Sequence, residues 1–305
     1  MTDVIRGVIP VVPTIFQENE DLDLSGQRRV VDYLVDSGSS ALCILANYSE
    51  QFALTDEERQ EIVRTTLEHG NGRIPVVVTT SHYSSRVAAN RSKQAEEMGA
   101  DIVMLMPPFF GTNLRVDMPD VIDFFKRVAD SINIPIMLQD APMSGTTLTA
   151  GDIAQLALEV PLIRYAKIEM PGTADKLRSI KALAGPNIPG LYDGEEAITL
   201  IPDLDAGAQG AMSSCMVPDV LSDIVRSYLA GDRSGAVKVW EDLLPLIHFE
   251  NRQCGLRAAK VLLKEGGIIS SSKTRSPFGE MSTHTRQGLL ELAKRKDTLI
   301  LNWAS

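Results

Sequence analysis

Leu162-Ile163-Arg164-Tyr165-Ala166-Lys167-Ile168-Glu169-Met170 reads as an apolar β-strand with an amine set inside it. An unpaired ammonium is costly to bury, so a lysine in such a run is neutral, paired or chemically used. Strand alternation puts Tyr165, Lys167 and Glu169 on one face, so an amine and a carboxylate share a site two residues apart. A neutral amine attacks carbonyls and forms a Schiff base. The plain alternative is a lysine at a strand end, snorkelling or paired with Glu169.

The same kind of apolar run recurs on either side of this one. Strands are predicted over 7–16, 41–46, 74–80, 102–106, 134–139, 162–168, 190–192 and 210–213. Amphipathic helices are predicted between them, over 25–37, 55–69, 84–97, 119–130, 149–158, 173–183 and 194–205. Thr55-Asp56-Glu57-Glu58 has the form of a capping box at a helix entry. Near-continuous apolar strands separated by helices indicate parallel strands covered on both faces. Eight such units fit an α/β fold, the (β/α)8 TIM barrel. A doubly wound sheet would show a Gly-rich phosphate turn after its first strand. Here that region reads Pro10-Val11-Val12-Pro13-Thr14-Ile15-Phe16, which favours the barrel.

From Val217 the strand signal stops, and 219–229, 235–249, 253–264 and 283–294 read as helices. The expected organisation is a catalytic barrel over 1–216 and a C-terminal helical extension over 217–305. The Ser- and Gly-rich stretch 266–281 is the expected mobile loop.

At 305 residues, 44% hydrophobic and 23% charged, the chain has the composition of a soluble globular protein. A net charge of −10 argues against nucleic acid or an anionic membrane as the main partner. It leaves room for an anionic metabolite, which one local cation or a few backbone amides can hold. Neither a signal peptide nor an apolar run long enough to span a membrane is visible. Cys43, Cys215 and Cys254 are scattered and lack metal-ligand spacing. Cys43 and Cys215 read as small core residues of a reduced, cytoplasmic protein.

In βα barrels the chemistry sits at the C-terminal ends of the strands. Those ends supply Pro13-Thr14, Asn47-Tyr48-Ser49-Glu50, Ser81-His82-Tyr83, Pro107-Pro108-Phe109-Phe110-Gly111 and Gln139-Asp140. Lys167 with Glu169, Asp193-Gly194-Glu195-Glu196 and Ser213-Ser214 follow. One lysine therefore faces hydroxyls, amides and carboxylates, as a Schiff-base site for a hydroxylated substrate requires. Plainer readings stand beside this one. Asp140 before Ala141-Pro142 reads as a turn residue, and Glu195-Glu196 as the acidic opening of a helix. His82 reads as a hydrogen-bonding loop residue, and Met104, Met106, Met212 and Met216 as packing. A metal site from His82, Asp140, Asp193 and Glu195 has no ligand motif behind it.

The order of these motifs resembles the dihydrodipicolinate synthase/N-acetylneuraminate lyase family over nearly the whole chain. The resemblance rests on Lys167, on the turn ending in Glu50 before Ala53-Leu54-Thr55-Asp56-Glu57-Glu58, on Gly194-Glu195-Glu196 and on Gly210-Ala211-Met212-Ser213. It implies a Schiff-base enzyme on a (β/α)8 barrel with a helical extension, assembled as a homotetramer. It implies a 2-keto acid substrate and a covalent imine with Lys167, without a separate cofactor or metal.

Departures from the family pattern carry the functional information. The family's Gly-Thr-Thr-Gly-Glu turn reads Ala46-Asn47-Tyr48-Ser49-Glu50 here, and its position implies that Asn47, Tyr48 and Ser49 hold the substrate carboxylate. The strand 5 tyrosine that relays protons in the family's lyases is replaced by Gln139, and the tyrosine-bearing loop after strand 4 reads Phe109-Phe110. Aldol cleavage thus lacks its phenols. Dehydration needs a base for a C3 proton beside the iminium, and Glu169 is the candidate. Gln139, Tyr83 and Ser213 are candidates for orienting sugar hydroxyls, and Gly194 belongs to the substrate-facing turn. Several stretches, among them Gln139-Asp140-Ala141-Pro142 and Glu250-Asn251-Arg252-Gln253, are most like the family's dehydratases that turn a five-carbon 2-keto-3-deoxy acid into 2,5-dioxopentanoate. The alternatives are decarboxylating dehydration of 5-keto-4-deoxyglucarate, deamination of a hydroxylated pyrroline carboxylate, aldol cleavage, and a non-catalytic ligand-binding barrel.

Overall fold

The computed structural model describes residues 4–109 and 116–304, so Phe110 and Gly111 lie outside the described residues. Eight strands follow one another: β1 (Gly7–Val8), β2 (Leu42–Ile44), β3 (Val76–Thr79), β4 (Ile102–Leu105), β5 (Ile136–Asp140), β6 (Ile163–Ile168), β7 (Gly190–Asp193) and β8 (Gly210–Ala211). A helix follows each: α1 (Leu24–Asp36), α2 (Asp56–Gly70), α3 (Ser85–Glu97), α4 (Met118–Ala129), α5 (Ala150–Glu159), α6 (Thr173–Ala184), α7 (Leu200–Asp205) and α8 (Pro218–Leu229). Then come α9 (Arg233–Phe249), α10 (Arg257–Glu265), α11 (Thr283–Lys294) and α12 (Leu299–Asn302). This is the α/β order of a (β/α)8 barrel with a C-terminal helical extension.

The chain forms two compact units. The first comprises the residues up to Arg6, Val76–Glu195 and Thr199–Met212. It contains β3 to β8, paired in parallel in chain order. All of β3, β4 and β5 is buried, as expected of strands covered on both faces. On α4, Val121, Ile122, Phe124, Phe125 and Val128 form the buried stripe. Removing each such side chain from water contributes about 1.5–3 kcal/mol before conformational entropy is counted.

The second unit comprises Gly7–Pro75, Glu196–Ile198 and the chain from Ser213 onward. Its first strand is shorter than the apolar run predicts. Pro10 and Pro13 lack an N–H, so beyond Val8 the segment makes isolated bridges, Val11 with Cys43 and with Ser214. The capping box at α2 is present, with Thr55 N–H donating to Glu58 Oε2 at 2.9 Å and Glu58 N–H to Thr55 Oγ1 at 3.3 Å. Cys43, Cys215 and Cys254 are buried and form no disulfide.

Three expectations need correction. Glu195 and Glu196 do not open a helix: Glu196 and Ala197 have φ of 55° and 65°, left-handed values that no right-handed helix admits, and α7 starts at Leu200. The helix expected from 253 starts at Arg257, because α9 runs into a π-turn over Glu250–Cys254. The loop 266–281 is irregular but tethered, because the Arg275 guanidinium makes four hydrogen bonds to three groups, Ala53 O, Glu20 O and the Glu58 carboxylate. No helix among the described residues is long and apolar enough to cross a membrane.

Candidate active site

Register places Gln139 of β5 beside Lys167 of β6, and Lys167 beside Tyr192 of β7. Paired residues of a parallel sheet point to the same side, so these three side chains form a row. Lys167 is 4% exposed, and its Nζ lies 2.6 Å from Glu169 Oε1. Gln139 Nε2 donates to the same oxygen at 2.7 Å. The Glu169 main chain is held too, its N–H donating to Asp140 O at 2.9 Å. Two donors thus converge on Oε1 and orient the carboxylate. Gln139 Oε1 is buried without a hydrogen-bond partner, an acceptor available to a donor on a substrate.

Gly194 completes this group by having no side chain. A Cβ there would lie 2.6 Å from Glu169 Cγ and 2.9 Å from Lys167 Cγ, so the stems of both residues need a glycine. Its N–H is donated to Ile168 O at 2.9 Å, so that amide serves the sheet. Below Lys167 the same face carries Tyr165 and Tyr192, with ring centroids 6.3 Å apart. The Tyr192 hydroxyl donates to Ile5 O. Burial pushes both phenols up, so they remain protonated and serve as a floor.

Two carboxylates flank the group. Asp140 pairs with Lys176 at 2.6 Å, and Lys176 Nζ also donates to Leu148 O. Burial raises the Asp140 carboxyl against the pull of Lys176. Asp140 is therefore part of an ion pair as well as a residue before a turn. Asp193 is fully buried, accepts the Glu195 N–H at 2.8 Å through Oδ1, and has no partner for Oδ2. Burial, reinforced by Asp203, pushes it to about 8, which keeps it largely protonated at neutral pH. His82 Nδ1 accepts the Ser84 N–H at 2.9 Å, the bond of a loop residue. Tyr83 is 42% exposed and lines a cleft with Asp120, Phe124 and Arg127.

The second unit holds the other predicted residues. Asn47–Ser49 is a single 3-10 turn. Ser49 braces it: Oγ donates to Val12 O at 2.6 Å and accepts the Ala46 N–H at 3.1 Å, while Ser49 O accepts from Thr14 Oγ1 at 2.7 Å. With its proton given to Val12, the Ser49 hydroxyl has none for a substrate carboxylate. Asn47 Oδ1 accepts from Gln51 Nε2 at 2.7 Å. Ser213 Oγ donates to Ser214 O at 3.2 Å.

Glu50 closes the turn in left-handed conformation, φ 58°. Its Oε1 meets the fully buried Lys260, and its Oε2 accepts the Arg275 N–H at 2.8 Å. Lys260 also donates to Lys273 O at 2.9 Å and lies 4.4 Å from the Phe16 ring centre. Burial pulls Lys260 down to about 8, against the opposing pull of Glu50. Arg275 grips Glu58 with both Nη atoms, at 2.7 and 2.8 Å, and holds the Glu58 carboxyl below its ordinary range. Lys260 escaped the sequence reading, although Ala258-Ala259-Lys260-Val261-Leu262-Leu263 carries the signal that singled out Lys167, a lysine inside an apolar run.

The chain as a whole has counterparts among known proteins. Residues 4–296 match the model of the dihydrodipicolinate synthetase family. L-2-keto-3-deoxyarabonate dehydratase of Azospirillum brasilense is 50% identical over 299 residues, 98% of this chain and 97% of the relative. A putative dihydrodipicolinate synthetase from Pseudomonas aeruginosa superposes with a TM-score of 0.89 at 26% identity, covering 95% of this chain and 99% of that one. A prophage protein of Escherichia coli from the same family, solved in complex with pyruvate, gives 0.88 at 26% identity over 96% of this chain and 99% of that one. The strand order and these matches agree, and the chain belongs to the dihydrodipicolinate synthetase family.

Proposed function

We propose that the protein is a Schiff-base-forming dehydratase that converts L-2-keto-3-deoxyarabonate to 2,5-dioxopentanoate. The observation that carries this reading is Glu169 Oε1, held by Lys167 Nζ at 2.6 Å and by Gln139 Nε2 at 2.7 Å. A base stands beside the amine, and an amide stands where the family's lyases have a phenol. Half of all aligned positions are shared with a relative bearing the dehydratase name, which supports the same reading.

The steps balance as follows. Lys167 condenses with the C2 ketone and releases water, giving an iminium that acidifies C3–H. Glu169 removes a C3 proton to form the enamine. The enamine expels the C4 hydroxyl, which takes the proton from Glu169 and leaves as a second water. Loss of a C5 proton gives a dienol, and its protonation at C4 with loss of the C5 hydroxyl proton makes the aldehyde and leaves one proton for C3. Protonation at C3 and hydrolysis free Lys167, consuming the first water, so the net loss is one water. In this proposal Asn47 and Tyr48 hold the substrate carboxylate on the turn that Ser49 braces, and Gln139 Oε1 accepts a substrate hydroxyl. Tyr83 and Ser213 are the remaining candidates for contacting hydroxyls. The family resemblance supports a homotetramer, and three cysteines outside any disulfide support a reducing, cytoplasmic setting.

Mass spectrometry of the products after mixing the purified protein with L-2-keto-3-deoxyarabonate tests the proposal. The expected product is lighter than the substrate by one water. Pyruvate with glycolaldehyde would replace the dehydratase by an aldolase.

A further inference from the structure

The second unit contains a small cleft, about 130 Å³, to which the reaction above assigns no role. Its walls carry four cations, Arg257, Lys264, Lys273 and Arg286, and two carboxylates, Glu18 and Glu280. The excess of positive charge stands out on a chain whose net charge is −10. Arg257 and Lys264 lie seven residues apart on α10 and share one face of it, with Val261 between them.

The cations are only partly neutralised. Lys264 Nζ is 3.8 Å from Glu18, and Arg286 is 3.2 Å from Glu265. Arg257 gives Nε–H to Cys254 O at 3.1 Å and an Nη1–H to Gly279 O at 3.3 Å, bonds that fix the guanidinium and leave further N–H groups. Lys273 Nζ has no carboxylate partner among the described residues. Ser272 adds a hydroxyl beside it.

We propose that this cleft binds a small dianion, phosphate or a short dicarboxylate, through Arg257, Lys264, Lys273 and Arg286. Fixed and mobile cations around one cleft suit a compact doubly charged ligand better than a single carboxylate. Binding would be felt beyond the cleft. Lys273 O accepts from Lys260 Nζ at 2.9 Å, and two residues on the Arg275 N–H donates to Glu50 Oε2 at 2.8 Å. An anion that orders 272–275 therefore steadies Glu50, which closes the turn at 47–49. Binding is independent of the dehydratase reading, whereas an effect on substrate affinity rests on it.

Calorimetric titration of the full chain with inorganic phosphate, at ionic strength held constant with sodium chloride, tests the site. A second titration uses succinate. Saturable binding of either, weakened at least tenfold in the Lys273→Ala and Arg257→Gln double variant, is expected. Hydrogen exchange should slow at the amides of 273–275 when the anion is bound. No saturation by either anion, or equal binding by the folded double variant, would overturn the proposal.

Discussion

Lys167 of β6 and Glu169, the residue just past the end of that strand, meet at 2.6 Å between Nζ and Oε1. The Glu169 N–H donates to Asp140 O at 2.9 Å, which continues the sheet's hydrogen bonding past Ile168 and keeps the carboxylate on the Lys167 side. Gln139, in register on the neighbouring strand, fixes the carboxylate from the other side. In the proposed reaction Lys167 is the nucleophile, Glu169 the proton carrier and Gln139 the orienting amide.

Glu169→Gln separates imine formation from proton transfer. The variant should lose about 10²–10⁴-fold in kcat, the usual worth of a positioned acid/base. Borohydride should still trap the keto acid on it, since Lys167 is intact. A variant that turns over normally would remove Glu169 from the proton path.

Gly194→Ala drives a methyl into the stems of both residues, within 2.6 Å of Glu169 Cγ. Overpacking of this kind costs about 1–3 kcal/mol of stability. Steady-state kinetics should show kcat falling more than KM rises, because Glu169 and Lys167 are displaced from each other.

Lys260→Met leaves Glu50 as a buried charge without its cation. A loss of about 3–5 kcal/mol is expected in urea unfolding. The double variant Glu50→Gln with Lys260→Met should be less destabilised than Lys260→Met alone, since no charge is then stranded.

Asp193 makes stability depend on pH. Its folded value of about 8 lies above the ordinary 3.8, so the folded state binds the proton more tightly. The stabilisation is complete below about 3.8 and is lost as pH rises through about 8. Asp193→Asn should flatten this part of the stability profile in denaturant titrations at pH 5 to 9. A profile as steep as that of the parent protein would assign the slope to other groups.

The βα beat was legible because each buried strand writes a short apolar run, and the lysine because it interrupts one. Glu169 was legible two residues past that lysine, and Gln139 as a polar residue at the end of the strand before, though not as the partner of Glu169. The ends of elements were less so. Proline in 10–13 shortens β1, and the left-handed Glu196 and Ala197 delay α7, effects of backbone geometry that apolar periodicity does not register. Ion pairs across long sequence separations were invisible: Asp140 meets Lys176 across 36 residues and Glu50 meets Lys260 across 210. No local pattern encodes such partners. Ser49 was placed in the right turn, yet its hydroxyl faces Val12 O, a direction that composition does not reveal.

The most direct test of the central claim is borohydride trapping of L-2-keto-3-deoxyarabonate on the protein, followed by mass spectrometry of the digested peptides. The account predicts one reduced adduct, on the peptide carrying Lys167, and none on Lys167→Ala, which should also be inactive. Turnover without an adduct, or an adduct on another lysine, would contradict it.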